Sequence, residues 1–375
     1  MIGPVADRQQ PGAAWADFEQ QTHARLYRRG GRVCKPPAFK KRPETVVQEP
    51  VIFASCYDNH FGHLTAETVP RLPQALAEHN DLPIVFTRMT NDTSHAPSAM
   101  FCSVMEWLRI PLEQIRFIDQ PTLFRQVYVA AQGEHLDGPP TPPEYVDLLE
   151  KRIAPNLQLR APEGVAFVTR CGLDHKMGYH AAERYLVALL RDLGVRIIYP
   201  ENLTLPEQMR LYAQARFLVF SEGSALHGRQ LLGRVEQDIA VLRRRKLSEM
   251  AKGQIEARCS SLTYVPCFGG ALHVTNKYGV KVTYAMKSFY NIEAILSFFD
   301  SLGVPLRQRW DMARYRDARD QDVLNWVFTL YDAKIEHWLK PANEDDYLLD
   351  QFERLHLKHL REQASALIKA RKLAW

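Results

Sequence analysis

The stretch Phe217-Leu-Val-Phe-Ser-Glu-Gly-Ser-Ala-Leu-His-Gly228 limits the fold more than any other part of the chain. Four apolar residues read as a buried parallel strand, residues 221–224 as a polar turn, and residues 225–232 as a helix. A strand that passes through glycine into a helix start leaves backbone N–H groups pointing one way, which makes a ready anion site. An ionised Glu222 only accepts hydrogen bonds, and that suits a ribose or sugar hydroxyl. An ordinary βα turn in an open sheet would look the same, since one or two glycines after a strand are a weak signal.

The residues upstream extend the pattern. Gly164-Val-Ala-Phe-Val-Thr-Arg170 reads as a strand ending in arginine, followed by a polar loop with Asp174, His175 and Lys176. A helix from about Ala181 carries Leu186, Leu189, Leu190 and Leu193 on one face and stops at Gly194. Val195-Arg-Ile-Ile-Tyr199 is a second strand, and Thr204-Leu-Pro-Glu207 is a capping box with proline in the first turn. The order is βαβαβ, and Arg170 and residues 221–224 both fall at carboxyl ends of strands. Open α/β sheets bind ligands there.

Residues 51–155 read as a first α/β domain. Strands are expected at 51–55, 84–87, 115–118 and 127–131, and helices at 72–79, 99–109 and 144–153. Directly after the first strand comes Asn59-His60-Phe-Gly-His63-Leu-Thr-Ala-Glu67. If this segment is helical from Gly62, His63 and Glu67 share a face. A carboxylate touching an imidazole orients it and raises its basicity, which is how a general base for a hydroxyl would be built. Three other readings stay open: metal ligation by His60, His63 and Glu67 without an H-E-x-x-H pattern, an ordinary helix pair, or a clamp on the acceptor.

Composition narrows the class. Hydrophobic residues are 46% and charged residues 24% of the chain, ordinary for a globular protein, and a net charge of +5 is too small to argue for nucleic acid. Six scattered cysteines without a C-x-x-C pair point to reduced thiols in a cytosolic protein. No signal peptide and no apolar run of membrane-spanning length is found, so a cytoplasmic location is expected. Residues 1–50 read as a loose N-terminal arm with a helix over 14–27. The run Arg243-Arg-Arg-Lys246 ends another strand and reads as a solvated surface slightly better than as a pyrophosphate cradle. Residues 271–275 and 280–285 read as a β-hairpin, and 320–375 as a helical hairpin that packs back, dimerises or lies on a membrane.

These features in this order resemble glycosyltransferase family 61, and more narrowly its bacterial members of capsular polysaccharide biosynthesis type. The matching residues are Asn59-His60-Phe61-Gly62-His63, Glu67, Pro70-Arg71-Leu72, Thr169-Arg170, Glu183, Gly194, Pro200-Glu201, Leu205, Glu207-Gln208, Ala215 and Glu222-Gly223-Ser224-Ala225-Leu226-His227. Eukaryotic relatives usually carry His-Gly-Ala at residues 222–224, so their catalytic detail is not carried over at Glu222. The resemblance implies an α/β, GT-B-like protein with two Rossmann-like domains facing across a cleft. The divisions would be an arm over 1–50, an acceptor-side domain over 51–155, a donor domain over 156–285 and a C-terminal helical region over 286–375. It implies inverting sugar transfer from a nucleotide-diphosphate donor to a glycan or glycolipid hydroxyl. His63 and Glu67 would be catalytic. Arg170, Lys176, Glu222, Gly223, Ser224, Ala225 and His227 would hold the donor. No metal and no tightly bound cofactor is expected, because cationic side chains would steady the leaving diphosphate. A non-catalytic nucleotide-sugar or glycan-binding subunit is the alternative. A dinucleotide-dependent oxidoreductase would need a G-x-G-x-x-G loop, which is lacking.

Overall fold

The computed structural model describes residues 1–5, 12–21, 27–28, 31–32, 42–43, 45–90, 92, 96–157, 160–173, 177–276, 278–330 and 344–373. The protein is an α/β fold built on two parallel sheets. In the first, Ile115–Ile118, Ile84–Thr87, Val51–Cys56 and Val127–Tyr128 lie side by side in that order, all parallel. In the second the order is Arg196–Ile198, Glu163–Val168, Ala215–Ser221, Asp238–Leu242 and Ser261–Val265, again all parallel. Val51–Cys56 is buried along its whole length because both faces of the sheet are covered, the one bearing Val51 and Phe53 by Ile2, Ala13 and Phe124.

Strand order fixes where a ligand can bind. In the second sheet the Glu163 strand is flanked by the next strand in sequence, Arg196–Ile198, and by the one after it, Ala215–Ser221. Chain direction across the sheet therefore reverses between Glu163–Val168 and Ala215–Ser221. In the first sheet the reversal falls between Val51–Cys56 and Val127–Tyr128. Crevices form at the carboxyl ends of strands at such reversals. The segments leaving them are Asp58–His63, Thr169–Arg170 and Glu222–Ser224.

The two sheets share one apolar cluster. Ile52, Phe86 and Met105 from the first side join Met209, Leu218 and Leu226 from the second, all buried. Each such side chain contributes roughly 1.5–3 kcal/mol when withdrawn from water. Polar struts cross the same boundary: the Trp107 indole N–H donates to the Leu231 carbonyl at 2.8 Å. Glu134 and Arg258, both fully buried, pair at 2.8 Å, and the Thr141 hydroxyl donates to the same carboxylate at 2.7 Å.

Three expectations are corrected. The described residues of 1–5 and 12–18 are not simply a solvated arm: Ile2, Val5, Ala13 and Phe18 are buried, and Ile2 bridges Thr122 while Val5 bridges Met89. So few apolar residues give no periodicity, and what buries them is the outer side of a sheet far along the chain. Of the expected helix over 14–27, residues 16–20 are a series of turns and Tyr27 begins a short strand. The hairpin is displaced outward. Phe268–Leu272 pairs with Lys287–Tyr290, and among the described residues of the expected hairpin the Thr275–Lys281 bridge forms and the Val282 N–H donates to the Val274 carbonyl at 2.8 Å. Leu272 and Phe289 bury themselves under the C-terminal helices, whereas Tyr278, Val280 and Tyr284 stay exposed.

Among the described residues the expected hairpin over 320–375 comprises parts of three helices, Met312–Leu330, Glu344–Arg354 and Arg361–Leu373, not two. His356, with φ 57, and a short turn break the second from the third. Val323, Trp326, Leu348, Phe352 and Ile368 pack on Leu272 and Phe289, so these helices cap the second unit. Trp338 and Trp375 lie outside the described residues. Among the described residues no helix is long and apolar enough to cross a membrane.

Candidate active site

The first wall of the site is the turn leaving Val51–Cys56. The Asp58 carboxylate accepts the His60 N–H at 2.9 Å, and His60 caps the short helix Phe61–His63 by accepting the His63 N–H at 3.4 Å. The helix then widens into a π-helical segment, Leu64–Thr68, an irregularity frequent at functional sites. Across this junction His63 Nδ1 meets Glu67 Oε2 at 2.9 Å. Glu67 is buried, while the His63 side chain keeps 29% exposure, so the pair has a shielded carboxylate and an open imidazole. With Nδ1–H donating to Glu67, Nε2 carries the free lone pair of the neutral ring.

The second wall is built around Glu183, which the sequence reading matched to a family position without assigning a role. Its carboxylate is fully buried at the start of helix Glu183–Asp192. It accepts the Thr169 hydroxyl at 2.6 Å, the Arg170 N–H at 2.6 Å and the Ser221 hydroxyl at 2.8 Å. It thereby joins the ends of two neighbouring strands. The one sequence signal was an acidic residue at the first turn of the helix after Thr169-Arg170, where the helix dipole favours negative charge.

Arg170 is 6% exposed and its Nε donates to the Gly178 carbonyl at 3.0 Å. Burial lowers its pKa, opposed by the nearby Glu183 and Glu222 carboxylates. A Cβ on Gly223 would collide with the Arg170 guanidinium, so only glycine lets the arginine lie across this turn. Ser224 and Ala225 open the expected helix, which is a 3-10 helix over Ser224–Leu231. Lys176 lies outside the described residues.

Glu222 departs from expectation. It is fully buried, and its Oε2 accepts the backbone N–H groups of Arg244 at 2.7 Å and Arg245 at 3.1 Å, while Oε1 takes the Arg245 guanidinium. Burial raises its pKa, but Arg245, Ser248 and Arg244 outweigh that and hold it below the usual carboxylate range. Its acceptors are occupied by protein, not presented to a sugar. The basic run is corrected with it: Arg244 is buried and Arg245 is paired inward, so these two are not a solvated face.

His227 brings the walls together. It is buried beside Gly62, where an added Cβ would lie 2.9 Å from its ring. Gln230 Nε2 sits 3.2 Å from His227 Nδ1 and donates to Gln254 at 2.9 Å, and Gln254 donates to the Ala66 carbonyl at 3.1 Å. A cavity of about 450 Å³ opens between Phe61, Met100 and Val104 on one side and Arg170, Ser224 and Ala225 on the other. Its lining is mainly apolar with a few polar groups, a composition suited to a small organic ligand. Among the described residues no group of three His, Cys, Asp or Glu side chains could hold a metal ion.

Burial, reinforced by His63 and His60 and opposed by Glu67, pushes His227 down to about 3 from an ordinary 6.5. The unfolded chain therefore takes up this proton first. Stability present above pH 6.5 is lost as the pH falls toward 3, by about 2 kcal/mol at pH 5 from this group. Urea denaturation near neutrality and at about pH 5 should show a smaller acid loss, by that amount, in His227→Gln. Equal losses in both proteins would assign the acid sensitivity elsewhere.

Residues 61–229 match the family model described as Glycosyltransferase 61. No curated protein matches the chain. Among solved structures the chain is similar to the dodecameric iron-containing heptosyltransferase TibC in complex with ADP-D-beta-D-heptose, at 14% identity and a TM-score of 0.27. That likeness covers 60% of this chain and 64% of that one. A second structure, bacterial iron-containing dodecameric glycosyltransferase TibC from enterotoxigenic E. coli, matches at 14% identity over 56% of this chain and 63% of that chain, with a TM-score of 0.25. The chain thus spans less than two thirds of the length of either structure. Of these similarities only the family match bears on activity.

Proposed function

We propose, with the family match over residues 61–229 as support, that this chain is a glycosyltransferase that transfers a sugar with inversion from a nucleotide-diphosphate donor to a hydroxyl of a bacterial surface or capsular glycan. The observation that carries the reading is that Phe61, two residues before the open imidazole of His63 with its buried carboxylate, lines the same cavity as Arg170 beside a sheet reversal. The two units would work as the facing halves of a GT-B enzyme, and the work would be done in the cytoplasm, where nucleotide sugars are available.

In the proposed reaction His63 Nε2 takes the proton of the acceptor hydroxyl. The acceptor oxygen attacks the anomeric carbon from the face opposite the diphosphate. The bond from that carbon to the diphosphate oxygen breaks, and its electron pair leaves with the phosphate. Arg170 and the N–H groups after Gly223 meet that charge, as preorganised donors do at developing anions. Glu67 holds the imidazole in the tautomer that leaves Nε2 free. Ser224 and Ala225 line the donor cavity, and Glu222 acts indirectly by fixing the turn that carries them.

Arg170→Ala should weaken nucleoside-diphosphate binding by roughly 1.5–3 kcal/mol, the range of a charge-assisted hydrogen bond. Titration calorimetry with the folded variant measures this. Unchanged affinity removes Arg170 from the phosphate site. Nucleotide binding without transfer to any acceptor would instead favour a non-catalytic binding subunit.

A further inference from the structure

We infer that Asp322, on the C-terminal helix Met312–Leu330, is a positioning residue for the donor site and acts on Arg170 through Ala182 and Glu183. The inference rests on the reading that Arg170 meets the donor diphosphate. Asp322 is 7% exposed, and its Oδ2 accepts the Ala182 N–H at 2.9 Å. Ala182 has φ 64, the left-handed region that a residue with a Cβ rarely occupies. Such a conformation costs about 1 kcal/mol or more and persists only where its surroundings hold it. Asp322 is one of those surroundings. The strand Lys287–Tyr290 is another, through the Ala181 N–H donating to the Ser288 carbonyl at 2.8 Å.

The next residue is Glu183, whose carboxylate gathers Thr169, the Arg170 N–H and Ser221. A rotation at Ala182 would swing that carboxylate and move the strand end that bears Arg170. Asp322 thus reaches the cavity wall through two hydrogen bonds and one peptide step, from Ala182 to Glu183. Lys287 is the cation facing Asp322 from the strand side, with its ammonium 3.2 Å from the centre of the Tyr179 ring. The C-terminal helices are held to the segment that enters the strand Lys287–Tyr290 by the Trp326 indole N–H donating to the Ala285 carbonyl at 2.8 Å. The helical region is therefore part of the frame of the donor site, although none of its residues lines the cavity.

The test is calorimetric titration of the full chain with UDP, GDP, CDP and ADP, taking the tightest as the probe. Asp322→Ala should weaken it roughly tenfold while single-turnover transfer at saturating donor changes by less than about threefold. Asp322→Asn keeps an oxygen for the Ala182 N–H and should bind within about twofold of the unaltered protein. In an Arg170→Ala background, Asp322→Ala should add less than about a twofold loss. Should Asp322→Ala not fold, Asp322→Glu keeps the charge but displaces the acceptor by one methylene, and a severalfold loss is expected there. Wild-type affinity in Asp322→Ala or Asp322→Glu, or equal losses with and without Arg170, overturns the inference. If Arg170→Ala itself binds normally, or no nucleoside diphosphate binds the unaltered protein, the reading of Arg170 fails and the inference falls with it. If Arg170→Ala is weakened and Asp322→Ala is not, the inference alone fails.

Discussion

His63→Ala is expected to lower sugar transfer roughly 10²–10⁴-fold while donor affinity survives, because a general base acts in the transition state and touches the acceptor. The expectation rests on His63 Nδ1 lying 2.9 Å from Glu67 Oε2 and on the partial exposure of the ring. Glu67→Gln keeps the size of the buried side chain and removes its charge, so it should reduce transfer without emptying the space. Because Glu67 acts through His63, the double variant should be little worse than His63→Ala alone. Single-turnover transfer and donor titration on both single variants and the double decide the matter. Losses that multiply would mean two independent roles, and unimpaired transfer in all three would move the base elsewhere in the cleft.

Glu134→Ala should destabilise the fold by about 3–5 kcal/mol, the usual result of leaving a buried cation without its partner. Arg258 has no exposed surface, and the carboxylate 2.8 Å away is its counter-charge. Burial pushes Glu134 upward in pKa while Arg258 and Thr141 pull it back. Replacing both members by apolar residues, Glu134→Leu with Arg258→Met, should recover most of the loss. Urea denaturation of the three variants is the measurement. A mild loss in Glu134→Ala would show that the guanidinium finds other acceptors nearby, such as the Gln254 carbonyl to which it already donates.

Much of the frame was legible in the sequence because its signals are local. The strands at Ile84–Thr87 and Ile115–Ile118 are short, mostly apolar runs between turn residues, and they form where expected. The capping box works as written, with the Thr204 N–H on Glu207 at 2.9 Å. The contact between His63 and Glu67 follows from their spacing alone. What stayed hidden depends on partners distant in sequence. Glu222 looks free beside its own turn, yet Arg244 and Arg245, leaving the adjacent strand, take both its oxygens. Ile2 and Val5 carry no pattern of their own, and their place is set by a sheet formed much later in the chain. Glu183 reads as a helix-start acid, and only the pairing of Glu163–Val168 with Ala215–Ser221 turns it into a shared acceptor.

The π-helical segment Leu64–Thr68 does more than space His63 from Glu67. Two of its carbonyls are sockets for side-chain amides: Gln254 plugs into Ala66 and Gln132 into Glu67, at 3.1 and 2.8 Å. The imidazole–carboxylate pair and the seating of the second unit are thus written in one backbone register. Shortening the segment by a residue would close it toward a regular helix and shift both sockets together. Length polymorphism should therefore be borne by loops elsewhere, such as the exposed one that carries Tyr278, and not by these five residues.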